Sequence, residues 1–160
     1  MHRLRNYNNQ DACFIVMRDQ DSGDCVQIKT KLTQLCTQTG RAKAVVRIAC
    51  RELESFYLAD LAAVEKGLAI SRLANQQNTA KFRTPDRLGS PSQELKTLTQ
   101  GRYQKIAGSR AIGPHLDPHN VRSASFKALV NAVRSIESAK LLCYIITFLL
   151  PLSINTGILA

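Results

Sequence analysis

Cys13-Phe-Ile-Val-Met-Arg-Asp-Gln-Asp-Ser-Gly-Asp24 decides how this chain is read. An apolar run stops abruptly at Asp19, Asp21 and Asp24, with Gly23 among them. A short continuous apolar run predicts a buried strand, and the acids then sit at its C-terminal tip. Carboxylates crowded at one strand end repel each other, and a hard divalent cation relieves that repulsion through oxygen ligands. Asp19 and Asp21 are therefore candidate metal ligands, with Mg2+ or Mn2+ as the ion. The plain alternative is an acidic turn that only caps the helix after it.

Working outward, Cys25, Ile28, Leu32, Leu35 and Cys36 recur at helical spacing, with Asp24 placed as N-cap and Gly40 as the residue just past the end. Residues 44–50, Ala-Val-Val-Arg-Ile-Ala-Cys, form a second β-branched run. Strand, helix and strand with short connections make a βαβ unit, so the two strands run parallel with a right-handed crossover. Parallel strands end on one edge of the sheet. Glu52 and Glu54 are thereby expected on the edge where the first strand leaves Asp19 and Asp21.

Beyond the unit, Leu53, Tyr57, Leu61, Val64 and Leu68 predict one helix over about 53–66, ended by Gly67, with Asp60 on its surface. Residues 70–90 read as a short helix and loop. Ser90-Pro91-Ser92-Gln93 offers a capping box with Pro at the first helical position, opening a helix to about Leu98. Residues 101–120, with Gly101, Gly108, Gly113, Pro114 and Pro118, read as a long loop carrying Arg102, Lys105 and Arg110. A last amphipathic helix follows Ser123. Residues 141–160 hold no charge, but Thr147, Pro151, Ser153 and Asn155 interrupt the run, so a buried or appended tail is expected rather than a membrane span. The expected organisation is an arm (1–12), an α/β domain (13–137) and an apolar tail (138–160).

A chain of 160 residues is long enough for one domain with a core. Its 44% apolar and 21% charged content excludes a disordered polymer. The net charge of +10 is unevenly spread: residues 66–134 carry twelve Lys/Arg against Asp86, Glu94 and Asp117. A basic half of this kind fits a polyanion such as nucleic acid, the bland alternative being a solvated face. The five cysteines form no Cys-x-x-Cys pair and are odd in number, and the first four (Cys13, Cys25, Cys36 and Cys50) fall on predicted apolar faces, which predicts reduced, structural thiols in a cytoplasmic protein. The polar start at 1–10 predicts no secretory signal. An EF-hand beginning at Asp19 fails, since Asp24 and Thr30 stand where Gly and Glu are needed, and Pro114-His115 breaks the P-loop pattern after Gly113. His115-x-Asp117-x-His119 is held off a helix by its flanking prolines and reads as a loop.

Phe14 to Asp21 followed by Gly23, Ile48-Ala-Cys-Arg-Glu-Leu-Glu-Ser-Phe-Tyr-Leu-Ala-Asp60, Asn78-x-x-Lys81-x-Arg83-x-Pro85-x-x-Leu88-x-x-Pro91-Ser92-x-Glu94-Leu95, Tyr103-Gln-Lys105 and Arg122-Ser-x-Ser-Phe126 together resemble the bacterial domain-of-unknown-function 4276 family. The resemblance covers about 13–137. It implies a small, mainly parallel sheet flanked by helices, TOPRIM-like and akin to the nuclease domains of OLD-type proteins. It also implies an AAA-type ATPase partner in a defence or DNA-processing system. On that comparison Asp19 and Asp21 are the metal ligands, Glu52 and Glu54 nearby catalytic acids, and Lys81, Arg83 and Lys105 phosphate contacts. The implied reaction is metal-assisted phosphodiester hydrolysis. Family members carry a Val-Glu-Gly strand and a helix ahead of the Asp-x-Asp strand, so the resemblance implies an incomplete, N-terminally truncated form, with activity or inactivity as a fragment left open; a gene fragment or a frame change near Ser138 would account for both ends.

The favoured expectation is thus a divalent-metal-dependent nuclease-like protein. One alternative is a non-catalytic nucleic-acid-binding or ATPase-docking protein. A second is a haloacid-dehalogenase-like phosphatase with Asp19 as nucleophile, in which Ser22-Gly23 replaces the usual Gly-Thr.

Overall fold

A computed structural model describes residues 2–7, 9, 12–40 and 43–149. The N-terminal arm contains a short helix, α1 (His2–Arg5), and Tyr7 meets Phe14 edge-on at 5.4 Å between ring centroids. Then come β1 (Phe14–Asp19), α2 (Cys25–Gln38) and β2 (Ala44–Ala49), and the two strands pair in parallel with Phe14 opposite Ala44 and Asp19 opposite Ala49. Asp24 caps α2 by accepting from the Gln27 N–H at 2.8 Å, and Gly40 takes the left-handed φ of 76° just past its end. The mixed α/β fold and the βαβ unit expected from the sequence are both present. One difference lies in β1, expected to be buried: among the described residues it pairs along one edge only, and none of its residues is fully buried.

After β2 the chain builds a helical layer: α3 (Glu54–Leu58), α4 (Leu61–Leu68), two short 3-10 turns (Ala74–Gln76 and Pro85–Arg87), α5 (Pro91–Leu98), α6 (Lys105–Ile112) and a 3-10 turn (Gly113–His115). The single helix expected over 53–66 is two. The chain breaks at Asp60, which leaves helical geometry and caps α4 at the Ala63 N–H, 3.1 Å away. Backbone groups freed by the break are taken up by buried side chains. Gln77 donates to the Leu58 carbonyl and accepts from the Leu61 N–H (3.1 and 2.7 Å), and Asn120 donates to the Ala59 carbonyl at 2.7 Å. Buried backbone groups must find such partners.

The long loop expected over 101–120 contains α6, and Gly108, which looked like a helix breaker, explains why. A Cβ there would come within 2.5 Å of the Tyr103 ring. Glycine is kept so that the buried tyrosine can lie against the helix. Gly67 likewise lets α4 approach α6, since a Cβ would sit 2.7 Å from the Ala111 carbonyl oxygen. The resulting core holds Tyr57, Leu58, Leu61, Leu95, Tyr103 and Ile112. Each fully buried Leu or Ile contributes about 1.5–3 kcal/mol, an upper figure because unfolded chains are partly collapsed.

The final helix, α7 (Ala124–Leu149), returns to the sheet. Ser123 accepts from the Phe126 N–H at 3.1 Å as expected for its cap, and Asp86 accepts from the Ala124 N–H at 2.8 Å. Phe126 packs on Phe56 (5.3 Å) and Ala49, while Arg47 donates to the Ala128 carbonyl at 3.0 Å. Strand alternation turns Val46 to the other face of β2, and α2 also packs on that strand. Cys36 is buried, Cys13 and Cys50 are half-buried, Cys25 is exposed, and all four are free thiols. Burial raises the Cys50 thiol above its usual range, against the opposing hydrogen bond with Ser125. Among the described residues no helix is long and apolar enough to cross a membrane. The tail from residue 150 onward lies outside the described residues.

Candidate active site

The parallel register carries on past the strands. The Gln20 N–H donates to the Ala49 carbonyl (3.0 Å) and the Asp21 N–H to the Arg51 carbonyl (2.8 Å). At these facing positions both chains turn through the left-handed region, Asp21 at φ 54° and Arg51 at φ 59°. That conformation costs a non-glycine residue about 1 kcal/mol or more and persists only where surrounding bonds impose it. Gln20 supplies them: its side chain accepts from the Arg51 N–H (3.3 Å) and donates to the Gly23 carbonyl (3.0 Å). Arg51 adds a bond from its guanidinium to the Asp21 carbonyl at 3.3 Å. The two tips are thus pinned together, and the acids with them.

Asp19, the last residue of β1, is half-buried and its Oδ1 accepts from the Leu53 N–H at 2.9 Å. Burial pushes its carboxyl above the ordinary carboxylate value; the Leu53 hydrogen bond opposes this, and the charges of Glu54, Asp21 and Glu52 push it further up. All the acids expected on this edge therefore act on Asp19. Their own environments differ. Asp21 is exposed, and its carboxylate makes no hydrogen bond or ion pair among the described residues. Glu52 accepts from the Ser92 N–H at 2.6 Å, capping α5 from forty positions upstream. Glu54 is 4% exposed and accepts from the Tyr103 hydroxyl at 3.0 Å, which also lies 3.2 Å from the Ser109 hydroxyl. Burial, with Glu54 beside it, raises the Tyr103 phenol well above its usual range.

Among the described residues no group of three or more His, Cys, Asp and Glu is placed to hold a metal ion. A cage made wholly of protein ligands is therefore not available here. The pair Asp19 and Asp21 still fits magnesium, which commonly takes one or two carboxylates and completes its shell with water and substrate phosphate. Asp19 keeps its Oδ2 without a hydrogen bond, and Asp21 keeps both oxygens. Burial first, and then the charges of Glu54, Asp21 and Glu52, disfavour the ionised Asp19 carboxyl, which a cation would favour.

The family described as a domain of unknown function, DUF4276, matches residues 1–134. The chain belongs to the DUF4276 family. No curated protein and no solved structure matches it. In this DUF4276 chain the cations singled out by the resemblance part company. Lys81 is held in an ion pair with Glu94 at 2.5 Å and lies 5.6 Å from the Phe82 ring centroid, so its charge is already partnered. Arg83 is exposed. Lys105, also exposed, opens α6 and lines a cavity with Ser92, Gln93, Lys96, Tyr103 and Gln104.

Sequence reasoning missed Lys96, Gln20 and the Glu54–Tyr103 pair. Lys96 follows Leu95 in a helix whose partner, α6, was read as loop, so no pattern could place it in a cavity wall. The capping box expected at Ser90 is corrected too: the Ser90 side chain makes no capping bond, and the carboxylate of Glu52 serves the first turn of α5 instead. Local spacing cannot reveal a cap supplied from another element.

Proposed function

We propose that the protein is a divalent-metal-dependent, nuclease-like protein with a TOPRIM-like arrangement of acids, acting on phosphodiester bonds of nucleic acid. The observation that carries this reading is Asp19: a half-buried carboxylate at the tip of a parallel strand, its carboxyl raised by burial and by the charges of Glu54, Asp21 and Glu52. Asp19 and Asp21 would hold the cation. When bound, it supplies Lewis-acid stabilisation of phosphate charge and a more acidic water. The chain's own residues do the positioning. Glu52 fixes the start of α5 to the acid edge, Glu54 and Tyr103 fix the segment leading into α6, and the Gln20–Arg51 bonds hold Asp21 in its strained turn. The basic half concentrates the polyanion around the edge. The partners proposed with this reading are nucleic acid and, from the family resemblance, an AAA-type ATPase, in the cytoplasm.

Cleavage of labelled DNA and RNA with Mg2+ or Mn2+ tests it. The parent is expected to cleave and Asp19→Asn/Asp21→Asn to lose about 100-fold or more, the usual scale for removing charge stabilisation from a transition state. Equal rates in parent and variant, or no metal-dependent cleavage, would refute the reading.

A second reading is favoured by one observation: Glu52 and Glu54 are both spent on contacts within the fold. In that reading the protein binds nucleic acid without cutting it. Binding that survives Asp19→Asn/Asp21→Asn, with no cleavage by either protein, is its signature.

A further inference from the structure

Resting on that reading of the strand tips, we propose that the cavity between α5 and α6 is a phosphate subsite, taking a backbone phosphate of a nucleic-acid strand beside the one presented to the acids. The cavity measures about 250 Å³ and is lined by Ser92, Gln93, Lys96, Tyr103, Gln104 and Lys105. At about 30 Å³ per water, it has room for a phosphate and part of its sugar. No acid is in the lining. Lys96 and Lys105 are exposed and neither is in an ion pair among the described residues, whereas Lys81 is taken by Glu94. Of the remaining lining side chains, Ser92, Gln93 and Gln104 carry hydroxyl or amide donors for phosphate oxygens, while the Tyr103 hydroxyl is committed to Glu54.

Position, more than charge, ties this cavity to the acids. Two of its lining residues bond directly to acids of the strand edge: the Ser92 N–H donates to Glu52 at 2.6 Å and the Tyr103 hydroxyl to Glu54 at 3.0 Å. The cationic cavity and the acidic edge therefore share a wall. A strand crossing that wall has one phosphate among lysines and a neighbouring one at Asp19 and Asp21. The lysines would set which phosphodiester bond is presented.

Another basic cavity, about 440 Å³ and lined in part by Arg72 and Arg102, has the opposite polarity. α4 ends at Leu68 and α5 at Leu98, so two helix C-termini, whose dipoles favour cations, border it. The lysine cavity instead lies beside the first turns of α5 and α6; Glu52 already serves the start of α5, whereas α6 has no side-chain cap and no acid in its first turn, so its dipole favours an anion there.

The test is binding of a short fluorescein-labelled single-stranded DNA to the full chain, followed by anisotropy without metal over a salt series. Each lost single-strand phosphate contact lowers the slope of log K against log salt by about 0.7, so Lys96→Gln/Lys105→Gln should lower it by about 1.4 and weaken binding about 25-fold at about 0.1 M salt. Lys96→Arg/Lys105→Arg should bind like the parent, and Arg72→Gln/Arg102→Gln should change the slope less than the lysine pair does. Circular dichroism melts confirm that the exposed substitutions leave the fold intact. Parent-like binding by Lys96→Gln/Lys105→Gln, equal losses in the lysine and arginine pairs, or no binding by the parent overturns the subsite. Asp19→Asn/Asp21→Asn, measured alongside, separates the two ideas: lysine-dependent binding with no cleavage by any protein keeps the subsite and removes the hydrolytic reading.

Discussion

Glu52→Ala should destabilise the protein through α5, whatever it does to activity. The Glu52 carboxylate accepts from the Ser92 N–H at 2.6 Å, and the Ser90 side chain offers no cap in its place. Removing an N-terminal cap costs about 0.5–2 kcal/mol. Loss of a negative charge at a helix start adds about 0.3–1 kcal/mol. Glu52 is only half-buried, so water can reach part of the gap, and a total of about 2 kcal/mol is expected. For a chain of this length that is a fall in Tm of roughly 4–8 °C. Glu52→Gln keeps an acceptor oxygen and loses only the charge, so its cost should be about 0.3–1 kcal/mol. Thermal melts by circular dichroism in chelator, with urea titrations beside them, measure both. If Glu52→Ala melts with the parent, or Glu52→Gln costs as much as Ala, then Glu52 does not hold α5 to the strand edge and the wall shared by the lysine cavity and the acids is lost.

Two further outcomes follow from the acids and their partners. Asp19→Asn keeps the acceptor for the Leu53 N–H but removes the charge. Because the folded carboxyl is raised above 3.8, the unfolded chain ionises first and stability declines as pH climbs from about that value through the folded pKa; the penalty then stays constant to neutral pH. The variant should therefore melt above the parent at pH 7 without metal, show no gain at pH 3, and lose any rise in Tm that Mg2+ gives the parent; a variant no more stable at neutral pH contradicts the charge crowding. Tyr103→Phe leaves buried Glu54 without its hydroxyl donor and should cost about 1–3 kcal/mol by urea unfolding. In the parent, absorbance titration should show that tyrosine ionising only above its ordinary value of 10.0, with stability falling beyond that pH as the unfolded phenol ionises first; ionisation near the ordinary value would mean the hydroxyl is not buried against Glu54.

What could be read in the sequence is what depends on short-range pattern. The β1–α2–β2 unit came from apolar runs, an Asp24 cap and Gly40, all of which act within a few residues of where they stand. The edge carrying Asp19, Asp21, Glu52 and Glu54 followed because parallel strands must end together. The misread parts are settled by distant partners. Gln77 and Asn120, sixteen and sixty-one positions from their partners Leu61 and Ala59, make the break at Asp60 tolerable, and no helical periodicity records them. Gly108 read as a breaker because its role, room for Tyr103, exists only once the segment has folded back on itself.

The same distinction bears on which acid is functional. Most acids in the described residues are turned to bonds within the fold: Asp24 to Gln27, Asp60 to Ala63 and Asp117, Glu65 to Ala74, Asp86 to Ala124, and Glu52 to Ser92. The exposed cations Lys96, Arg102, Lys105 and Arg110 have no such partners among these residues. The positive field is therefore left to the surface, while the negative charge is largely committed to helix starts and loops. Asp21 departs from that pattern. It is held at φ 54° by bonds to its own backbone, at a cost in strain, and its exposed carboxylate makes no bond among the described residues. Of the acids on the edge, Asp21 is the one whose carboxylate makes no bond within the fold among the described residues, so Asp19→Asn/Asp21→Asn tests the proposed cation site with little expected loss of structural contacts at position 21.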